Sequence, residues 1–319
     1  MKKTISLFLI FFLFVTATVS ADYADTKRYL LSQVSDPAVS SVGGEWTVIG
    51  LAKSGDTGLS DYFSRYTQNV LSVLSEKNGV LHERKYTEYA RVVLALTAIG
   101  QDPQNFGGYN LLLPLADYDK TVFQGVNGAI WALFAFDSGN YEIPAISKQE
   151  HQATRDRYIN KILSSALSDG GWGFSDTSDP DLTSMALCAL APYRAQETVN
   201  QAIQAGLSYL SGIQDENGGF SGLGGESAES CAQVLLALSA LRIPVTDEHF
   251  QKNGNTVLSA LLSYEKPDGS YSHTPGGESN LMATEQAFYA LSCMQSAQLP
   301  DFTPFYTIIK AMILLEVTI

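Results

Sequence analysis

Histidine, methionine, cysteine and tryptophan are all scarce in this 319-residue chain, at 4, 5, 3 and 3 copies. The histidines His82, His151, His249 and His273 are scattered, and none lies at short spacing from a cysteine, so the chain lacks a zinc signature and no metal is expected. Basic residues are outnumbered: 20 Lys and Arg face 33 Asp and Glu, a formal charge of -13. That balance argues against nucleic acid and anionic membrane as partners, since both would be repelled. Cys188, Cys231 and Cys293 are odd in number, and each sits in an apolar run (MALCAL, SCAQVLLAL, YALSCM). Buried thiols are expected, with one disulfide and one remaining thiol as the alternative. Past the first residues no run is long and uncharged enough for a membrane span, because the greasy end TPFYTIIKAMILLEVTI is short and carries Lys310 and Glu316.

The opening MKKTISLFLIFFLFVTATVSA sets Lys2 and Lys3 before an apolar run from Leu7 to Val15 and closes on Val19, Ser20 and Ala21. This is the form of an export signal, residues 1–21, and a secreted or cell-surface protein is expected. The mature chain, 22–319, loses two lysines and so carries -15. It is long enough for one large domain with a substantial core.

Self-comparison reveals a repeat in which a glycine-rich turn is followed by a small-residue helix ending in Ala-Leu. The clear copies are SDGGWGFSDTSDPDLTSMALCAL, DENGGFSGLGGESAESCAQVLLALSAL and KPDGSYSHTPGGESNLMATEQAFYALSCM, aligned on Leu190, Leu238 and Leu291. Weaker copies, VGGEWTVIGLAKSG, EKNGVLHERKYTEYARVVLALTAIG and DKTVFQGVNGAIWALFAFD, bring the number to six. Between them lie amphipathic segments such as LSDYFSRYTQNVLSVLSEKNG, EHQATRDRYINKILSSAL, ETVNQAIQAGLSYLSGIQ and HFQKNGNTVLSALLSYEK, each with one wet face. Each unit therefore pairs an outer, half-exposed helix with an inner, covered one. An open stack would have polar capping repeats, whereas both ends here are sticky, which favours a closed ring.

The turns resemble the repeat of the squalene cyclase and protein prenyltransferase superfamily: a Gln, three residues, a Gly, one residue and an aromatic. Gln214, Gly218 and Phe220 carry it; Glu265, Gly269 and Tyr271 keep the spacing; Ala166, Gly170 and Trp172 keep its last two members. The resemblance implies an all-α fold, the α6/α6 toroid of six helix pairs, in which such residues staple turns. GGEWTVIGLAKSG and FQGVNGAIWALFAFDSGNYEIP further resemble exported bacterial proteins distantly similar to the cobalamin carriers intrinsic factor and transcobalamin, which implies a corrinoid as a ligand to consider.

Several chemistries can be weighed. Cyclases of this superfamily protonate an alkene with an Asp-x-Asp-Asp motif; here Asp179 and Asp181 match its first and third positions, but Leu182 takes the fourth. The same residues also read as a helix start, with Asp179 as cap, Pro180 in the first turn and Asp181 at the positive end of the dipole. The prenyltransferases' zinc ligands, an Asp, a Cys and a His, have no matching histidine, and a thioester would need Gln three residues after Cys231, where Val234 stands. A polysaccharide hydrolase or lyase could draw on Glu45, Glu88, Asp181, Glu229 and Glu285, all near inner-helix starts.

A binding site at one mouth of the ring would instead collect Glu45, Trp46, Tyr89, Arg91, Gln124, Asn127, Trp172, Phe174, Glu229, Tyr271 and Glu285. Trp46, Trp131 and Trp172 serve equally well as core or turn staples. The sequence reading is an exported, non-catalytic toroid, a monomer without cofactor, binding a small organic ligand or a cell-surface component; a terpene cyclase or a polysaccharide enzyme is the alternative. A deep apolar cavity ending at Asp181 would favour the cyclase, and a shallow polar bowl would favour binding.

Overall fold

A computed structural model describes residues 24–297. The export signal expected at residues 1–21 and the greasy C-terminal end lie outside the described residues. Twelve helices follow in order: α1 (24–33), α2 (Trp46–Lys53), α3 (Ser60–Glu76), α4 (Thr87–Ala98), α5 (Tyr118–Thr121), α6 (Val126–Ser138), α7 (Arg155–Leu163), α8 (Pro180–Leu190), α9 (Glu197–Ile213), α10 (Ala228–Leu241), α11 (Val257–Leu262) and α12 (Leu281–Ala297). The even-numbered helices each pack on the next, and α12 packs on α2, so the inner ring is closed. Of the odd-numbered ones, α7, α9 and α11 pack against α6, α8 and α10 from outside.

The two rings differ as their side chains require. In α3 the buried residues are Tyr62, Tyr66, Val70 and Leu74, one every four, and the remaining faces are wet. In α10 every residue from Ala228 to Ala240 is buried, because neighbours cover it on all sides. Small residues let the inner helices approach one another, and each fully buried Leu, Val or Phe contributes roughly 1.5–3 kcal/mol. Cys188, Cys231 and Cys293 lie in this wall as buried thiols, and none is in a disulfide.

The turns fold as stapled corners. Gly170, Gly218 and Gly269 take φ of 89°, 83° and 81°, and the rings of Trp172, Phe220 and Tyr271 are fully buried against them. Gln214 Nε2 donates to the carbonyls of Gly218 and Phe250 at 2.9 and 3.0 Å, satisfying one buried acceptor in the turn after α9 and one just before the hairpin at 251–256. Trp172 Nε1 does the same for the Ile162 carbonyl at 2.8 Å.

Two outer positions depart from the helical expectation. HFQKNGNTVLSALLSYEK forms a hairpin, Gln251–Lys252 with Asn255–Thr256, before the six-residue α11. The cause is Asn253-Gly254, both at positive φ, which suits a tight hairpin turn better than a helix. In the third unit the outer helix shrinks to the four residues of α5, flanked by short 3₁₀ turns at Pro103–Asn105, Pro114–Ala116 and Val122–Gln124, since Pro103, Pro114 and the positive-φ pair Gly107-Gly108 interrupt it. Two further hairpins, Ser221–Gly222 with Gly225–Glu226 and Tyr271–Ser272 with Ser279–Asn280, line the same edge of the ring as the inner-helix starts.

The first and last units also meet outside the inner ring. A Cβ on Gly269 would lie 2.5 Å from the Asp25 carbonyl carbon and 2.8 Å from the Thr26 nitrogen, so α1 rests directly on the turn between α11 and α12. Gly269→Ala is expected to cost roughly 2–5 kcal/mol, combining left-handed strain with a backbone clash. Gly276→Ala, at φ 69° but facing open space, should cost only about 1 kcal/mol. Urea denaturation of the two variants checks this, and equal losses would contradict the α1 contact.

Candidate functional site

Inside the ring, at the N-terminal ends of the inner helices, lies a cavity of about 440 Å³. One wall is aromatic. Trp46 of α2 stacks on Tyr289 of α12, with centroids 5.4 Å apart, and tilts against Trp131 of α6 at 5.3 Å; Trp131 meets Phe134 edge-on at 5.5 Å. The starts of α8 and α10 add Asp179, Asp181, Leu182, Met185, Glu229 and Gln233 to the lining. The mouth is edged by Phe174 and Leu223, which are 70% and 72% exposed, and by His273.

The repeat explains how these residues converge. Nine residues before the aligned Leu190, Leu238 and Leu291 stand Asp181, Glu229 and Met282; five residues before them stand Met185, Gln233 and Gln286. All six line the cavity. Two residues after the buried rings Trp172, Phe220 and Tyr271 come Phe174, Gly222 and His273, which also line it. Helical periodicity keeps each of these registers on the same face of every inner helix.

The acidic wall has a definite electrostatic character. Asp179 caps α8, its Oδ1 accepting from the backbone of Asp181 and Leu182 at 3.0 Å each. Asp181 is pushed up to about 6, first by burial and then by the charge of Asp179, while the Ser230 hydroxyl and His273 act the other way. Its Oδ1 is buried with no hydrogen-bond partner, and so is Oε1 of Glu229. The other oxygen of Glu229, Oε2, meets His273 Nδ1 at 2.8 Å. Gln233 Nε2 donates to the Tyr289 hydroxyl at 2.6 Å and to Gln286 Oε1 at 2.9 Å, which fixes the polar floor.

Of the residues proposed from sequence, Trp46, Phe174, Asp179, Asp181 and Glu229 therefore meet at one cavity. The others are placed elsewhere. Glu45 accepts from the Tyr66 hydroxyl at 3.2 Å and lies 3.5 Å from Arg91 Nε, and Arg91 also holds Glu88 at 2.5 Å. Glu285 accepts from the Gly43 amide at 2.9 Å and from the Thr47 hydroxyl, pinning the loop before α2. The Tyr89 hydroxyl accepts from the Leu81 amide, and Gln124 brackets Thr87. Trp172 and Tyr271 are the buried rings of their turns, and Asn127 is half-buried at the start of α6, off the cavity wall. Sequence reasoning missed Phe134, Gln233, His273, Gln286 and Tyr289 as lining residues, although the leucine alignment contained the signal for Gln233 and Gln286, and the alignment of turn rings that for His273.

Among the described residues no group of three or more His, Cys, Asp or Glu is placed to hold a metal ion, and no helix is long and apolar enough to cross a membrane. The thiols of Cys231 and Cys293 are pushed up to about 12 by burial, which keeps them as thiols and makes them poor zinc ligands.

A closed ring of helix pairs around a cavity defines an α/α toroid. The chain belongs to the prenyltransferase alpha-alpha toroid domain family, whose model matches residues 115–311. Among solved structures, an apo variant of the type II terpene cyclase MstE from Scytonema is 13% identical, with a TM-score of 0.59 over 88% of this chain and 97% of that one. The same cyclase in complex with its product merosterolic acid A gives 0.55 at the same identity and coverage. A possible member of the GH105 family from Salmonella enterica is 11% identical, with a TM-score of 0.54 over 88% and 93% of the two chains. At such identities the likeness shows the fold. No curated protein matches the chain.

The buried acids give the protein an unusual pH response. Burial pushes Glu45 and Glu285 up to about 7 from an ordinary 4.5. An acid whose pKa is raised on folding binds its proton more tightly in the folded state, so its contribution is complete below about pH 4.5 and lost as pH rises through 7. The loss is on the order of 3 kcal/mol for each group. Calorimetry should show a melting temperature several degrees lower at pH 8 than at pH 5. Glu285→Gln keeps an acceptor for Gly43 and Thr47 without the charge and should flatten that fall; a variant as steep as the parent would contradict the assignment.

Proposed function

We propose that the protein binds a small, largely apolar organic molecule in the central cavity of its ring. The observation that carries this is the cavity itself: about 440 Å³, walled by Trp46, Trp131, Phe134 and Tyr289, with only a few polar groups converging on it. Binding cavities for small molecules typically measure about 300–1,000 Å³ and have this mixture. The proposal includes export by the signal at residues 1–21 and action outside the cytoplasm as a monomer. A corrinoid is much bulkier than this cavity and would rest on the mouth, over Phe174 and Leu223, rather than enter it.

The neutral fluorophore N-phenyl-1-naphthylamine tests the reading. Saturable binding with quenching of tryptophan emission is expected, and Trp131→Ala should weaken it about tenfold, or about 1.4 kcal/mol, with the helical signal unchanged. Absence of saturable binding in the parent protein would contradict the proposal.

A second reading is favoured by Asp181. It is half-buried, with Oδ1 covered and its carboxyl raised to about 6, and it stands on the wall of an apolar cavity whose aromatic faces could stabilise a developing carbocation, the arrangement expected from sequence to favour a cyclase. Asp181 would give its proton to an alkene, and a later loss of a proton from the cation would complete a cyclisation with no net change in atoms. Leu182 weighs against it, because it leaves Asp181 without the motif's fourth acid. Turnover of squalene or a polyprenyl chain, abolished by Asp181→Asn, is the result this reading requires; product formed by that variant would remove Asp181 as the donor. The polysaccharide reading is weaker, since Glu45, Glu88 and Glu285 are committed to partners away from the cavity.

A further inference from the structure

We infer that the molecule taken up by the cavity carries a positively charged nitrogen beside its apolar body, held between Asp181, Glu229 and the aromatic wall. The inference rests on the binding reading above and specifies its ligand.

It begins with two buried acceptors. Oδ1 of Asp181 and Oε1 of Glu229 have no hydrogen-bond partner among the described residues, and both residues stand on the cavity wall at the same register of α8 and α10. Glu229 is only 4% exposed. Buried carboxylate oxygens are normally paired, and a donor or a cation from outside would satisfy these. Glu285 Oε2 is likewise unpartnered among the described residues, but Glu285 lies off the cavity wall, and two other buried acids of the ring are served internally. Asp137 receives Arg155 at 2.9 Å and the Tyr193 hydroxyl at 2.7 Å, and Glu45 receives Tyr66 and faces Arg91.

The remaining lining agrees in sign. Among the described residues its charged groups are Asp179, Asp181 and Glu229; no lysine or arginine of them lines the cavity, and His273, the one basic side chain of that set, is engaged by Glu229 through Nδ1. An anionic ligand would meet three carboxylates, and a purely hydrocarbon one would leave both oxygens unpaired. In the same cavity the rings of Trp46, Trp131 and Tyr289 form a continuous aromatic surface, which attracts a cation through its faces while accepting apolar contact. An ammonium or guanidinium on a short apolar stem meets both demands.

The test uses three probes of one shape: 3-phenylpropylammonium, its neutral isostere butylbenzene, and the anion 4-phenylbutanoate. Each is titrated into the mature protein by calorimetry and by displacement of N-phenyl-1-naphthylamine. The ammonium is expected to bind at least tenfold more tightly than butylbenzene, with 4-phenylbutanoate weakest. In Asp181→Asn, Glu229→Gln that advantage should vanish while butylbenzene affinity stays within about threefold. If the double variant does not fold, as judged by its melting transition, Asp181→Asn alone should still reduce the advantage. Equal binding of ammonium and butylbenzene, or preference for butylbenzene, overturns the inference and leaves the apolar-ligand reading standing. An ammonium advantage that survives in the variants also overturns it, by placing the cation elsewhere. Failure of all three probes and of the fluorophore would defeat both readings.

Discussion

Closure of α12 on α2 is the contact on which the rest of the structure depends. An inner helix in an open stack would have one uncovered side at each end and would need polar residues there. Closure removes both ends, so all six inner helices can be apolar or small around most of their circumference, as in α10. The same closure makes six helices point their N-termini at one mouth. The glycine turns are its local means: they reverse the chain at positive φ and bury an aromatic ring under each corner. The contact of α1 with the Gly269 turn extends closure to the outer side.

A ring built this way must place something at its centre, and register decides what. Side chains nine and five residues before the aligned leucines face inward, and evolution of a single unit would write the same position six times. Here the copies have diverged to Asp181, Glu229 and Met282 at one level, and to Met185, Gln233 and Gln286 at the next. Acid thus gathers at the starts of α8 and α10, and aromatic surface on α2, α6 and α12. The result is a cavity of mixed lining rather than a uniform tunnel. Burial raises Asp181, and its neighbours Asp179 and Glu229, which share its sign, add to the rise.

Much of the fold could be read from the chain because both of its signals are periodic. Glycine turns mark the corners, and the difference between one-sided and all-round apolar helices separates outer from inner. The outer elements at 251–262 and 103–124 were harder, since local turn chemistry at Asn253-Gly254 and at Pro103 and Pro114 overrides apolar spacing there. For the site, proximity to a helix start was too coarse a guide. Glu45 precedes Trp46 by one residue, about 100° of helix, and that rotation sends it toward Tyr66 and Arg91 instead of the cavity. Glu285 stands six residues before Leu291, not five or nine, and turns toward Thr47 of α2. Asp179 was legible as a helix cap from its neighbour Pro180, and it serves as one while also bordering the cavity. His273 was hidden because a lone histidine on a turn carries no signal until Tyr271 is superposed on Trp172.

The central claim is that the ring encloses an open, predominantly apolar cavity that a ligand can enter. A crystal of the protein pressurised with xenon tests this most directly, because xenon occupies empty apolar cavities and avoids filled or strongly hydrated ones. The account predicts xenon density between Trp131, Phe134 and Met185, away from Asp181 and Glu229. A cavity with no xenon, filled instead by side chains or by ordered water from wall to wall, would contradict it.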